Sequence, residues 1–302
     1  MRYCDLHCDA LTASGALQVT AERLAAGGCL LQCFAAFVGE GGFARFCLLA
    51  DKYDAMCERE GYHRVLCASD VREDAVNALF TSEGGAFSTL EELEGLYERG
   101  VRMAGFVWNT PTGAGFPNFP EDTGLCAGRV SPSAREGERG LTEFGFAAAE
   151  RMAQLGMIAD VSHGSDRLFA EIASLKRPFV ASHSNAASVQ DRARNLTDAQ
   201  IRTLADCGGV VGLNFCADFL SDDRSEQGQR AALLAHARAI LDAGGEDVLA
   251  IGSDFDGIPA NPWLPDPSHM PCLLQRLADA FGARIAQKAA QDNVLRVLRD
   301  VL

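Results

Sequence analysis

The chain of 302 residues contains six histidines, and three of them, His7, His163 and His183, each close a short apolar run of the kind that makes a buried strand. Imidazole is the commonest metal ligand and the side chain most easily moved between charge states near neutral pH. His7-Cys8-Asp9 adds a carboxylate two residues on. On extended backbone, residues i and i+2 project to the same side, where both can hold one ion. Glu83 follows the run Leu79-Phe80-Thr81-Ser82 and precedes Gly84-Gly85, while Asp254 and Asp256 end another run, Ile251-Gly252-Ser253-Asp254-Phe255-Asp256-Gly257. Each of these has a plainer reading when taken alone, as a turn aspartate, a surface glutamate or a locally satisfied histidine. Together they place an acid or an imidazole at the ends of five separate strands. The five donors His7, Asp9, Glu83, His163 and His183, with a spare aspartate, predict two metal ions. Oxygen and imidazole ligands without cysteine fit zinc, and also manganese or iron. Two ions roughly 3.5 to 4 Å apart, sharing a carboxylate, acidify a water enough to attack at neutral pH, so the predicted reaction class is hydrolysis. Arg194, in the loop after His183, can take a carboxylate in its guanidinium fork, and a solvated surface arginine is an equal reading of the local sequence.

These residues act together only if the strands bring their ends together. Eight apolar runs recur, at 3–7, 29–38, 76–82, 101–107, 157–162, 179–183, 210–214 and 248–253. Several are continuous rather than alternating, the pattern of strands buried on both faces of a parallel sheet. Helix signals lie between them: Ser88-Thr89-Leu90-Glu91 reads as a capping box opening a helix that ends near Gly100, and Thr197-Asp198-Ala199-Gln200 reads as a second. Strand and helix alternating eight times predicts an α/β fold, a single (β/α)8 TIM barrel with its active site at the C-terminal ends of the strands; a doubly wound sheet is the competitor. Residues 110–140 break the rhythm, rich in Gly, Pro, Asp and Ser, and read as a loop or lid over the catalytic face within one domain spanning 1–302. His63, His236 and His269 fall in helical or loop contexts and read as surface or locally satisfied residues.

Composition narrows the partners. A net charge of −14 disfavours nucleic acid and anionic membrane surfaces, since neither field attracts an acidic protein. Met1-Arg2-Tyr3-Cys4-Asp5-Leu6-His7 lacks the apolar core of a signal peptide, and no run approaches the ~18 apolar residues of a membrane span, so a cytoplasmic location is expected. The 11 cysteines include no C-x-x-C pair and sit mostly in apolar runs, which reads as reduced, buried thiols.

With these motifs in order, the sequence resembles the membrane (renal) dipeptidase family, amidohydrolase-like metallohydrolases with many soluble bacterial members. The resemblance runs through Asp5-Leu6-His7-Cys8-Asp9, Glu83-Gly84-Gly85, Asp160-Val161-Ser162-His163, Ala181-Ser182-His183-Ser184-Asn185, Arg194-Asn195-Leu196-Thr197-Asp198, Gly208-Gly209-Val210-Val211-Gly212-Leu213-Asn214-Phe215 and Gly252-Ser253-Asp254-Phe255-Asp256-Gly257. It implies that His7 and Asp9 bind one zinc, His163 and His183 the other, and that Glu83 bridges them. Asp254 would be the acid/base residue and Arg194 the anchor for the substrate carboxylate. The implied substrates are dipeptides, including those with a C-terminal D-residue, and a homodimer is plausible. One position departs from the pattern. Where members such as the renal enzyme carry a substrate-contacting histidine after the fourth strand, this chain has Trp108-Asn109, and indole can donate but cannot accept a proton. Both residues are therefore placed in the substrate site. Two alternatives stand beside the dipeptidase: hydrolysis of another small amide, a lactam or an N-acyl amino acid, and a metal-retaining binding module without peptidase activity.

Overall fold

The computed structural model describes residues 1–120 and 131–302. Its strands are β1 (Tyr3–Asp5), β2 (Cys29–Phe37), β3 (His63–Val65), β4 (Asn77–Glu83), β5 (Val101–Gly105), β6 (Ile158–Asp160), β7 (Val180–Ala181), β8 (Val210–Leu213) and β9 (Leu249–Ile251), and every pairing among them is parallel. Neighbours run β2-β1-β9-β8-β7-β6-β5-β4, and β4 pairs back onto β2, which closes a ring of eight staves. This is the (β/α)8 barrel.

β3 is the strand that sequence reasoning missed. Along one edge β4 pairs with β2 throughout, from Leu31↔Asn77 to Phe37↔Glu83. On the other edge Asn77 to Leu79 pair with β3, and Phe80 to Ser82 with β5. β3 therefore lies outside the ring and covers the part of the β4 edge that β5 leaves open. Its sequence, His63-Arg64-Val65, has only one buried residue and carries no apolar run.

The helices are α1 (Ala21–Gly27), α2 (Gly42–Glu60), α3 (Leu90–Glu98), α4 (Glu143–Leu155), α5 (Asp166–Ser174), α6 (Asp198–Asp206), α7 (Ala217–Leu220), α8 (Glu226–Gly244), α9 (Met270–Phe281), α10 (Ala283–Gln287) and α11 (Asn293–Val301). Thr197 caps α6 in the expected box with Gln200. The α3 cap lies one residue later than expected: Thr89 accepts from the Glu92 N–H, and the Glu92 carboxylate reaches back to the Ser88 N–H and hydroxyl.

Cys4, Leu31, Cys33, Leu79, Met103, Ile158, Val180, Val210 and Ala250 form one buried cluster that also contains Val294, Val297 and Leu298 of α11. Apolar side chains and α11 thus close the barrel at one end. The catalytic face can only be the other, where the staves finish. A larger cluster packs the helices onto the staves, with Phe46, Tyr53 and Phe80 stacked between α2 and β4. Among the described residues ten cysteines carry free thiols, six of them buried. No helix of the described residues is long and apolar enough to cross a membrane.

His236, on α8, is buried and locally satisfied: its Nδ1 accepts the Ala186 N–H at 3.1 Å, and its Nε2–H donates to the Leu220 carbonyl at 3.0 Å. The ring fastens the loops after β7 and β8 to the outer helix layer. Burial pushes its pKa down to about 4, despite those two hydrogen bonds. The folded state keeps this ring neutral between pH 6.5 and 4, where the unfolded chain takes up a proton, so stability falls as pH falls through that window. At roughly 1.4 kcal/mol per pH unit the loss is on the order of 3 kcal/mol. In urea melts from pH 7 to 4, His236→Gln should therefore show a stability slope about one proton shallower than the wild type; equal slopes would show that the ring is not held neutral.

Candidate active site

Seven of the eight staves deliver a side chain of the site at or just beyond their ends. β1 leads into His7 and Asp9, β4 ends on Glu83, β5 leads to Trp108 and Asn109, and β6 leads to His163. β7 leads to His183 and then to Arg194, β8 to Asn214, and β9 to Asp254. Asp254 and Asp256 take left-handed backbone, at φ 65° and 67°, a conformation that aspartate adopts more readily than most residues. This turn directs Asp254 inward and lets Asp256 accept the N–H groups of Gln18 and Val19, at 2.6 and 3.0 Å.

The structure gathers His7, Asp9, Glu83, His163, His183 and Asp254 into one buried group. Glu83 stands at its centre. Its Oε2 faces His7 Nε2 at 3.6 Å, and His7 Nε2 lies 3.4 Å from Asp9 Oδ2. Its Oε1 faces His163 Nε2 at 2.8 Å and His183 Nε2 at 3.5 Å. One carboxylate oxygen thus addresses each pair of remaining donors.

The outer hydrogen bonds of the two later histidines determine what their inner nitrogens present. His163 Nδ1–H donates to Asn109 Oδ1 at 3.0 Å, which leaves a lone pair on Nε2. The Ser182 hydroxyl donates to Asp160 and therefore accepts from His183 Nδ1–H at 2.8 Å, which leaves a second lone pair on His183 Nε2. These two nitrogens are 3.0 Å apart. Two lone pairs and a carboxyl oxygen converging on one point repel one another unless a proton or a cation lies among them, and a metal ion turns the convergence into ligation. On the other side, His7 Nε2 and Asp9 Oδ1 are buried with no hydrogen-bond partner among the described residues. The donor set therefore fits divalent metal ions.

Electrostatics agree. Burial pushes Glu83 up to about 8, against the pull of His7. Burial opposes charge on His7 as well, yet Glu83, Asp9 and Asp254 outweigh it and push that ring up to about 10. His163 and His183 are driven well below the usual histidine range, by burial first and then by Arg194 and His7, so both are neutral imidazoles, the form that binds metal.

Several positioning groups were not singled out from the sequence. Asp160 Oδ1 accepts from the Ser162 N–H (3.0 Å), the Ser162 hydroxyl (2.6 Å) and the Ser182 N–H (3.0 Å), which ties the ends of β6 and β7 together. Asp5 repeats the arrangement between β1 and β9, accepting from the His7 N–H (3.3 Å), the Ser253 N–H (2.9 Å) and the Ser253 hydroxyl (2.6 Å). Both latches set a serine immediately before a site residue, Ser182 before His183 and Ser253 before Asp254. That recurrence was the available signal. Asn214 Nδ2 donates to Asp254 Oδ2 at 2.9 Å and fixes its carboxyl plane. Burial pushes Asp254 up to about 6, with His7 opposing. Gly257 is required at its position, because a Cβ there would lie 2.2 Å from Asp9 Oδ2 and 2.6 Å from Asp254 Oδ1.

Arg194 is buried, so it is not the solvated surface residue of the alternative reading. It donates to the Ser162 and His183 carbonyls, with Nη2 3.3 Å from His163 Nε2 and its Nε–H unpartnered among the described residues. Asp9, Glu83, His163, His183, Arg194 and Asp254 line one cavity of about 380 Å³. Trp108, half-buried, forms part of its wall between Phe37 and His163, at ring-centroid distances of 5.0 and 6.1 Å. Arg45, from the first turn of α2, also lines it and was not foreseen. Phe119 brings the described part of segment 110–140 to the same cavity, and Asn118 donates its N–H to the His163 carbonyl at 2.8 Å. Residues 121–130 of the expected lid lie outside the described residues.

A closed parallel barrel with neutral imidazoles and carboxylates gathered at its stave ends belongs to the class of metal-dependent hydrolases. The chain belongs to the membrane dipeptidase family, peptidase family M19, whose family model matches residues 5–302. It is accordingly a metallo-dipeptidase, a hydrolase of peptide bonds. Its sequence is 35% identical over 252 residues to the "uncharacterized protein in pqqA 5′ region" of Klebsiella pneumoniae, covering 78% of this chain and 88% of that one. The fold is similar to a metallo peptidase of Rhodobacter sphaeroides liganded with a phosphinate mimic of the dipeptide L-Ala-D-Ala, with a TM-score of 0.86, 25% identity, and 100% and 99% of the two chains covered. It is also similar to dipeptidase AC, a metallo peptidase of family M19, with a TM-score of 0.88, 26% identity, and 99% and 98% covered.

If Ser182 sets the tautomer of His183, Ser182→Ala should weaken metal affinity roughly 10- to 100-fold while the far-UV circular dichroism stays that of the wild type. Competition against a chelator dye reads this directly; unchanged affinity would remove Ser182 from the site.

Proposed function

We propose that this chain is a dinuclear zinc dipeptidase, with His7 and Asp9 holding one ion, His163 and His183 the other, and Glu83 bridging the two. The observation that carries this reading is the division of the Glu83 carboxylate, one oxygen facing His7 and the other facing His163 and His183. Zinc ions held there supply Lewis-acid activation of the scissile carbonyl and of water. The protein's own groups do the rest. Asp254, oriented by Asn214, takes a proton from the attacking water and passes it to the leaving amine. Arg194 receives the C-terminal carboxylate through its unpartnered Nε–H and the Nη2–H now directed at His163 Nε2, a lone pair that a bound ion would occupy. Asn109 holds the His163 ring.

A carboxylate anchor at fixed reach from the hydrolytic centre selects two-residue substrates. The phosphinate mimic bound to the Rhodobacter sphaeroides peptidase supports acceptance of a C-terminal D-residue. The described part of segment 110–140 is read as an active-site loop or lid, a reading supported by Phe119 on the cavity wall. Trp108 and Asn109 form the substrate wall, and because indole replaces the family's histidine, the second reading is hydrolysis of another small amide, such as an N-acyl amino acid.

Zinc-loaded protein should contain about two ions per chain and cleave L,L and L,D dipeptides, and a chelator should abolish both. Asp254→Asn should keep the zinc and lose kcat by about 10²- to 10⁴-fold. Two ions with no dipeptide cleaved would leave a binding module; cleavage confined to N-acyl amino acids would favour the second reading; no bound metal would overturn the proposal entirely.

A further inference from the structure

Two cations line the cavity among the described residues, Arg194 and Arg45. Their places in the barrel are opposite. Arg194 follows β7 and Arg45 follows β2, and round the closed ring three staves intervene between β2 and β7 in either direction. The stave-end cluster, centred on Glu83, lies between them. Arg45 is also placed by the local backbone. A Cβ at Gly41 would lie 2.6 Å from Arg45 Cβ and 2.9 Å from its Cδ, so the arginine stem rests against a glycine that leaves it room. Among the described residues Arg45 forms no ion pair, whereas Arg23, Arg64, Arg99, Arg135, Arg139 and Arg151 all do. Phe37, the last residue of β2, and Trp108, their ring centroids 5.0 Å apart, form an aromatic wall of the same cavity.

A substrate held at its C-terminal carboxylate by Arg194, with its scissile carbonyl at the centre, extends its N-terminal residue toward the β2 side. We infer that Arg45 is a specificity-determining residue, and that the preferred substrates are dipeptides whose N-terminal residue carries a carboxylate side chain. The aromatic wall takes the methylene groups, and the guanidinium takes the charge in a fork suited to a carboxylate. This rests on the dipeptidase reading above.

The test compares L-Glu-L-Ala with L-Gln-L-Ala, which differ in charge but hardly in shape, using zinc-loaded enzyme. The wild type should favour the glutamyl substrate in kcat/KM by about fivefold, through KM, and the preference should shrink in high salt. Arg45→Gln should bring the ratio close to one, Arg45→Lys should restore part of it, and Arg45→Glu should invert it. A wild-type ratio of one or below, or a ratio that Arg45→Gln leaves intact, overturns the inference while the dipeptidase reading stands. If neither substrate nor any other dipeptide is cleaved, the dipeptidase reading fails and this inference falls with it.

Discussion

The arrangement depends on one electrostatic constraint, a buried carboxyl group facing two imidazole nitrogens, those of His163 and His183, that have no proton to share. Glu83 sits where β4 ends, with nitrogens of three staves within 3.6 Å of its oxygens. Burying such a group costs free energy unless a positive charge compensates it. His7 supplies one proton, and the lone pairs of His163 and His183 call for a cation. The rest of the catalytic face serves to hold that group in place. Burial, with the charges of Arg194 and His7, keeps the His163 and His183 imidazoles neutral, and the Asn109 and Ser182 contacts on the outer ring nitrogens fix their tautomer.

The barrel makes the constraint sustainable. Short staves of two or three residues, such as β6 and β7, provide little ladder to fix their own ends. The Asp160 and Asp5 latches add side-chain cross-links at the heights where the ligands emerge, one between β6 and β7 and the other between β1 and β9. Each buried aspartate accepts several hydrogen bonds, so it rigidifies the site without leaving acceptors unmet. His236 does comparable work one layer out, fixing the loop that begins at His183 and ends past Arg194.

Much of this was legible in the sequence because the chemistry sits at stave ends. A histidine or acid that terminates a continuous apolar run is visible without knowing which strands are neighbours, and His7, Asp9, Glu83, His163, His183 and Asp254 were all of that kind. What was not legible depends on closure of the ring. Asp5 and Ser253 are 248 positions apart and become partners only when β1 meets β9. Arg45 looks like an ordinary helix arginine until β4 pairs with β2 and places it opposite Arg194. β3 escaped for a different reason: a three-residue strand with one buried side chain has no periodicity to read. The α3 cap slipped by one residue because Ser88 and Thr89 both carry a hydroxyl, each three residues ahead of a glutamate, and local sequence does not rank them.

The central claim is that Glu83 stands between two ions. Anomalous diffraction at the zinc edge from crystals of the zinc-loaded protein tests it most directly. Two peaks are expected, roughly 3.5 to 4 Å apart, one beside His7 and Asp9, the other beside His163 and His183, with the Glu83 carboxylate between them. A single peak, or none with His163 and His183 still facing one another unbridged, would contradict it.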